Sequence, residues 1–150
     1  METSNKSGGD LLQLVTFKLG NEEYAIDILK VQEINRMAEI TKIPNSPMFV
    51  EGVINLRGKV IPVINLRKKF GLNAKELDKQ SRIMVVDIKG ITIGLIVDSV
   101  SEVLRLPAST IEAPPPLVSG INAEYISGVG RLEDRLLILL DLLKLFSASE

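Results

Sequence analysis

Three aspartates, Asp27, Asp98 and Asp141, stand inside apolar sequence. A pair of carboxylates in such a setting can act as acid and base if its surroundings split the two pKa values. The remaining inventory does not support that chemistry. The 150 residues include no histidine and no cysteine, which removes the usual general base, the thiolate nucleophile and the commonest metal ligands. Asp27 and Asp98 fall where an apolar run breaks, and Asp141 precedes Leu-Leu-Lys-Leu-Phe. Turn and helix-cap roles explain all three better than catalysis. Gly128-Val129-Gly130 has two glycines in phosphate-loop spacing, but no third glycine and no Lys-Ser pair follows. Arg67-Lys68-Lys69 reads as the wet side of a short helix. The expectation is a protein that is not an enzyme and holds no metal or cofactor.

What remains is surface. Arg57, between Leu56 and Gly58, occupies the tip of an expected hairpin, where a rigid scaffold presents recognition residues. Val31, Ile34, Val100 and Val103 are candidates for a seam between modules, or for an open apolar groove that takes an amphipathic helix. A net charge of −1, four Phe, two Tyr and no Trp offer neither general attraction to phosphate backbones nor a base-stacking platform. Nucleic acid is therefore not an expected partner. The apolar runs are too short to span a membrane, and METSNKSGGD lacks the apolar run of a signal peptide. The expected location is the cytoplasm, without direct membrane insertion.

The elements that must position these residues occur twice. Gly52–Phe70 and Gly128–Phe146 align without a gap and match at six of nineteen positions. Unrelated apolar stretches match at about one to three, so the chain carries an internal repeat. Upstream, Tyr24–Met37 aligns with Ile93–Leu106, with Val31/Val100, Glu33/Glu102 and Arg36/Arg105 coincident. Residues 1–10 read as a disordered tail and 11–150 as one domain. Within it, one subdomain covers about 11–75 and another about 81–146, and segments are free to exchange between them.

Leu12–Leu19 and Glu23–Ile28 read as strands around a Gly20-Asn21 turn, followed by a helical turn near Asp27–Val31 and a strand over Gln32–Arg36. Met48-Phe49-Val50 is expected to form one helical turn. Gly52–Leu56 and Lys59–Ile64 make a hairpin, with Pro62 placed at an edge or a bulge because it lacks a ladder donor. Asn65 and Asp141 cap the short helix that closes each module, and polar Asn73–Gln80 links the modules. Arg82–Ile88, Ile91–Val97 and Val100–Leu106 are the second set of strands, with Pro107 ending the last. Ala113-Pro114-Pro115-Pro116 is a loop or an extended segment. Many short strands with only short helices predict a mostly β fold of two small five-stranded barrels packed together.

The segments LGNEEYAIDILKVQEI, FVEGVINLRGKVIPVINLRKKFG, GLIVDSVSEVL and EYISGVGRLEDRLLILLDLLKLF strongly resemble the CheW family of bacterial chemotaxis coupling proteins, over about residues 12 to 146. The resemblance implies two SH3-like five-stranded β-barrels around a shared hydrophobic core. It also implies a non-enzymatic adaptor that joins the cytoplasmic tips of methyl-accepting chemoreceptors to the histidine kinase CheA in membrane-associated arrays. The receptor tip, a helical hairpin, would dock between the barrels on or beside Val31, Glu33, Gly52, Arg57, Gly58, Val100 and Val103. The regulatory domain of CheA would meet Ile28, Glu112 and Leu117, and other CheW copies are candidate neighbours in the arrays. Position 112 is acidic here where at least some relatives carry arginine, which changes the charge available for pairing. Readings that keep the fold are a CheA regulatory domain or the adaptor half of a CheV-type protein, though Met1 and the end just past the last helix favour a complete small protein.

Overall fold

The computed structural model describes residues 10–73, 75–113 and 125–147. Eleven strands and two short helices carry the described chain. β1 (Leu11–Leu19) and β2 (Glu22–Asp27) form a hairpin, and a single 3-10 turn at Ile28–Lys30 leads into β3 (Val31–Arg36). β4 (Val50–Leu56), β5 (Lys59–Asn65) and α1 (Leu66–Lys69) complete the first repeat. β6 (Arg82–Ile88), β7 (Ile91–Val97) and β8 (Ser99–Pro107) begin the second, followed by β9 (Ile111–Glu112), β10 (Ile126–Leu132), β11 (Arg135–Leu140) and α2 (Leu142–Ser147). Residues 1–9 of the tail expected over 1–10, and most of the proline segment, lie outside the described residues.

The chain is mostly β and forms two sheets. One has the order β8-β1-β2-β11-β10-β9 and the other β3-β6-β7-β5-β4. These correspond to two compact units. A continuous unit runs from Leu29 to Val100, and a split unit combines Met1–Ile28 with Ser101–Glu150. Ranges of 11–75 and 81–146 taken in chain order therefore each contribute to both units. The first hairpin of each repeat joins the sheet of the other repeat, through parallel pairing of β2 with β11 and of β5 with β7. The register is the same at both joints, with Ala25 opposite Leu139 and Gly94 opposite Val63.

Each unit has its own core. Ile54, Ile61, Val63, Ile83, Val85 and Ile96 cluster in the continuous unit, and Leu14, Ala25, Leu106, Leu137 and Leu139 in the split one. The opposite strand faces are buried too: Met84, Val86 and Leu95 in one sheet, Phe17, Leu19 and Tyr24 in the other. Burial on both faces explains why these strands read as apolar runs rather than alternating ones. Tyr24 stacks on Phe17 at 5.8 Å and donates its hydroxyl to Glu22. Burial, reinforced by that carboxylate, raises its pKa.

The helix starts are capped as the sequence requires. Asn65 Oδ1 accepts from the Lys68 N–H at 3.2 Å, and Asp141 Oδ1 from the Lys144 N–H at 3.1 Å. Three local expectations are corrected. Met48 and Phe49 form a turn closed by the Val50 N–H on the Pro47 carbonyl at 3.0 Å, and Val50 already belongs to β4. Pro62 lies in β5, an interior strand, opposite Val53. Val53 directs both its N–H and its carbonyl to Thr41, so Pro62 faces a non-hydrogen-bonded position of that ladder and forfeits no bond to β4. The split unit's sheet has six strands instead of five. Its extra β9 pairs with Val129 through Glu112, at the repeat position where the continuous unit has only a single Thr41–Val53 bridge.

Candidate partner-binding site

In the continuous unit, β4 and β5 turn through Arg57 (φ 52°) and Gly58 (φ 84°), both left-handed. That two-residue geometry follows the twist of paired strands, but it costs a non-glycine residue steric strain at the first position. Asn55 Oδ1 steadies the turn by accepting the Gly58 N–H at 2.9 Å. The Arg57 guanidinium then makes a bidentate ion pair with the Glu33 carboxylate on β3. β3 and β4 are opposite edges of the sheet order, so the sheet curls enough for its two edges to meet here. Arg57 remains 71% exposed and Glu33 only 24%. The hydrogen bond from Arg57 holds the Glu33 carboxyl below its ordinary range, and the same bond raises the guanidinium. A strained, charge-locked arginine presented to solvent can donate to a partner's carboxylate or carbonyl with little further ordering.

Strand register divides the expected site. A bulge lies between Val31, opposite Val86, and Glu33, opposite Val85. Val85 belongs to the core cluster and Val86 points to the other face, so Val31 and Glu33 are turned apart although they stand two residues apart. Val31 shares its face with Ile34, opposite Met84, while Glu33 shares its own with Arg57. Gly52 is buried at φ 147°, and a Cβ there would come within 2.1 Å of the Thr41 carbonyl oxygen. It shapes β4 from inside. Val100 is half-buried at the end of the continuous unit, and Val103 is 51% exposed on the split unit. Among the expected kinase contacts, Ile28 is half-buried in the 3-10 turn and Glu112 is exposed beside Arg131 at 3.8 Å. Leu117 lies outside the described residues.

The cluster Arg67-Lys68-Lys69 is a correction to its expected wet role. Arg67 grips Asp98 through Nε at 2.9 Å and Nη2 at 2.8 Å, with both side chains largely buried. Lys68 reaches Glu51 at 2.8 Å, and Lys69 sits 4.2 Å above the Phe49 ring. Burial pushes the Glu51 carboxyl up, but the bonds from Lys68 and Asn65 prevail and leave it below its ordinary range. A hollow of about 310 Å3 beside these groups is walled in part by the paired Glu51 and Lys68 and by Arg67, which Asp98 holds. Thirty-one residues separate Arg67 from Asp98, and no local pattern signals the pair. Among the described residues no cluster could hold a metal ion, and no helix is long and apolar enough to cross a membrane.

A model of the CheW-like domain matches residues 13–150. The chain belongs to the CheW family. The chemotaxis protein CheW of Klebsiella aerogenes is 41% identical, covering 100% of this chain and 92% of that protein. Its counterpart from Treponema pallidum is 40% identical, covering 92% of this chain and 84% of the relative. The crystal structure of the scaffolding protein TtCheW from Thermoanaerobacter tengcongensis matches at a TM-score of 0.87 and 42% identity, covering 93% and 95% of the two chains. As a CheW-family member this chain is a non-enzymatic scaffold of chemotaxis signalling that works by contact with other signalling components. A site made of one ion-paired arginine and aliphatic margins suits contact rather than turnover.

Proposed function

We propose that this CheW-family chain couples the cytoplasmic tips of methyl-accepting chemoreceptors to the histidine kinase CheA, in the cytoplasm at membrane-bound arrays. The observation that carries the proposal is Arg57, exposed at a strained hairpin tip and aimed by Glu33. Glu33, Arg57 and Gly58 form the polar part of the receptor-facing surface, while Val31, on the other face of β3, supplies aliphatic area to the receptor together with Val100 and Val103. Gly52 contributes by holding β4 in place. The regulatory domain of CheA engages Ile28, Glu112 and the segment containing Leu117, and other CheW copies take equivalent places in the array. An interface built this way is moderate in size and able to loosen, as a switchable array needs.

The test is an NMR titration of labelled full-length protein, first with a receptor-tip helical hairpin and then with the CheA regulatory domain. The amides of Glu33, Arg57, Gly58 and Val100 shift in the first titration, and those of Ile28 and Glu112 in the second. A receptor-tip titration that moves no amide on β3 or at the β4–β5 tip would sink the receptor assignment. Val100→Asp abolishes the first set of shifts, with circular dichroism confirming that the fold survives.

A further inference from the structure

The continuous unit contains four arginines, at positions 36, 57, 67 and 82. Two are committed, Arg57 to Glu33 and Arg67 to Asp98. The other two stand directly opposite each other, Arg36 on β3 and Arg82 on β6. Directly paired residues of antiparallel strands project from the same face with Cβ atoms about 5 Å apart, and like charges so placed repel. A fold usually relieves such a pair with an acid. Here Arg82 Nη1 donates only to the backbone carbonyls of Lys79 and Ser81, both at 2.8 Å, and Arg36 has no partner among the described residues. A hollow of about 300 Å3 opens beside Arg82, lined also by Gln80, Ser99 and Val100.

We propose that Arg36 and Arg82 form a carboxylate-binding subsite that fixes the register of an acidic partner helix along β3. The identity of that helix as a receptor tip rests on the coupling function proposed above. The arginines share their face with Ile34 and Val31. Met84 and Val86 on that face are buried, but Ile34 is 40% exposed and Val31 half-buried, so the edge strand itself presents a narrow aliphatic margin ending in two guanidiniums. Ile34 and Arg36 stand two strand steps apart, about 6.6 Å and comparable to one helical turn of about 5.4 Å. A helix that sets an apolar side chain on Ile34 therefore brings a glutamate about one turn away onto the arginine pair. Guanidiniums bind carboxylates in planar, paired hydrogen bonds, and the bound charge cancels the repulsion between them. A phosphate backbone would need a broad basic surface, which a chain of net charge −1 with an aliphatic row beside the arginines does not offer. The repeat positions in the split unit carry Gln13 and Arg105, a single cation, so the subsite belongs to one unit only.

The experiment compares the affinity of full-length wild type and the double variant Arg36→Gln, Arg82→Gln for a receptor-tip helical hairpin. The double variant binds about tenfold more weakly or worse at roughly 0.1 M salt. The gap closes at roughly 1 M, where the Debye length falls from about 10 Å to about 3 Å. Arg36→Glu weakens binding further, and exchanging a fragment glutamate for lysine restores it. The double variant melts no lower than wild type, because a repulsion has been removed. Equal affinity of wild type and double variant overturns the subsite while leaving receptor coupling intact. Weaker binding accompanied by a lower melting temperature also overturns it, since the arginines would then be structural. Loss of binding to anionic vesicles or duplex DNA alone, with the helix still bound, would move the pair to phosphate recognition. If wild type itself ignores the fragment, the coupling function fails first and the subsite with it.

Discussion

The two units repeat one backbone plan and spend their charges differently. Each has a hairpin that follows a bulge, between Val50 and Gly52 in one and Ile126 and Gly128 in the other, and each closes with an Asn- or Asp-capped helix. Each places a glutamate at the same repeat position, Glu33 or Glu102, and gives it an arginine. In the continuous unit that arginine is Arg57, at the hairpin tip and mostly in water. In the split unit the tip is Glu133-Asp134, and the arginine is Arg135, one step into β11. Arg135 is shared between Glu102 at 2.8 Å and Glu23 at 2.6 Å. Hydrogen bonding to Glu23, reinforced by Glu102, raises its pKa. One arginine is locked into the fold while the other is held out from it. A duplicated fold can thus keep its geometry in both halves and free only one for recognition.

The two units should differ most at the bulge glycines. Gly52→Ala would press a Cβ into the Thr41 backbone at 2.1 Å from a left-handed φ, which nothing flexible can relieve. Gly128→Ala meets the Ile111 Cγ2 at 2.5 Å, the end of a side chain that can move, with the Glu112 carbonyl at 3.2 Å. Chemical denaturation should show a loss of about 4 kcal/mol for the first and about 1–2 kcal/mol for the second. The reverse order would mean that the two bulges are not supported as described.

A smaller effect separates the two arginines. Arg135→Ala strands Glu23, only 12% exposed, and should cost about 1–2 kcal/mol. Arg57→Ala, which breaks a largely solvent-exposed pair, should lower the melting temperature by less than Arg135→Ala does while weakening receptor-tip binding. A variant of Arg57 that binds as wild type does, or one of Arg135 that melts as wild type does, would erase the contrast.

The smallest effect is a titration. Glu33 has its carboxyl pKa lowered chiefly by the hydrogen bond from Arg57, so it stays ionised to lower pH in the folded chain than in the unfolded one. The linkage therefore favours the fold above the ordinary glutamate pKa of about 4.3 and fades as pH falls through the depressed folded value. Carboxyl carbon shifts of Glu33 should titrate below that ordinary value in wild type and return toward it in Arg57→Ala. Coincident midpoints would show that the ion pair does not persist in solution.

Much of this was legible in the residues. The glycine-started, phenylalanine-ended block gave the duplication, Asn65 and Asp141 gave both helix starts, and Arg57-Gly58 gave a hairpin turn. These signals are local, because a cap or a tight turn is decided by residues within three or four positions. Met48–Val50 misled because three apolar residues fit a helical turn or a strand entry equally well. Pro62 misled because its tolerance depends on which neighbour its missing N–H faces, and that is set by Thr41, far away in sequence.

The amino-acid order alone determined that this chain is a duplicated, mostly β protein of a contact-making family, with no catalytic inventory. Tertiary structure alone decided that the first hairpins change places between the repeats. It also decided that Gln32 is bulged out so that Val31 turns from Glu33, that Asp98 secures Arg67, and that Arg36 meets Arg82. Turns and caps follow from short-range sterics and hydrogen bonds. Pairing across strands is chosen by burying whole faces at once, and that choice sets which charges are neutralised and which are left facing a partner.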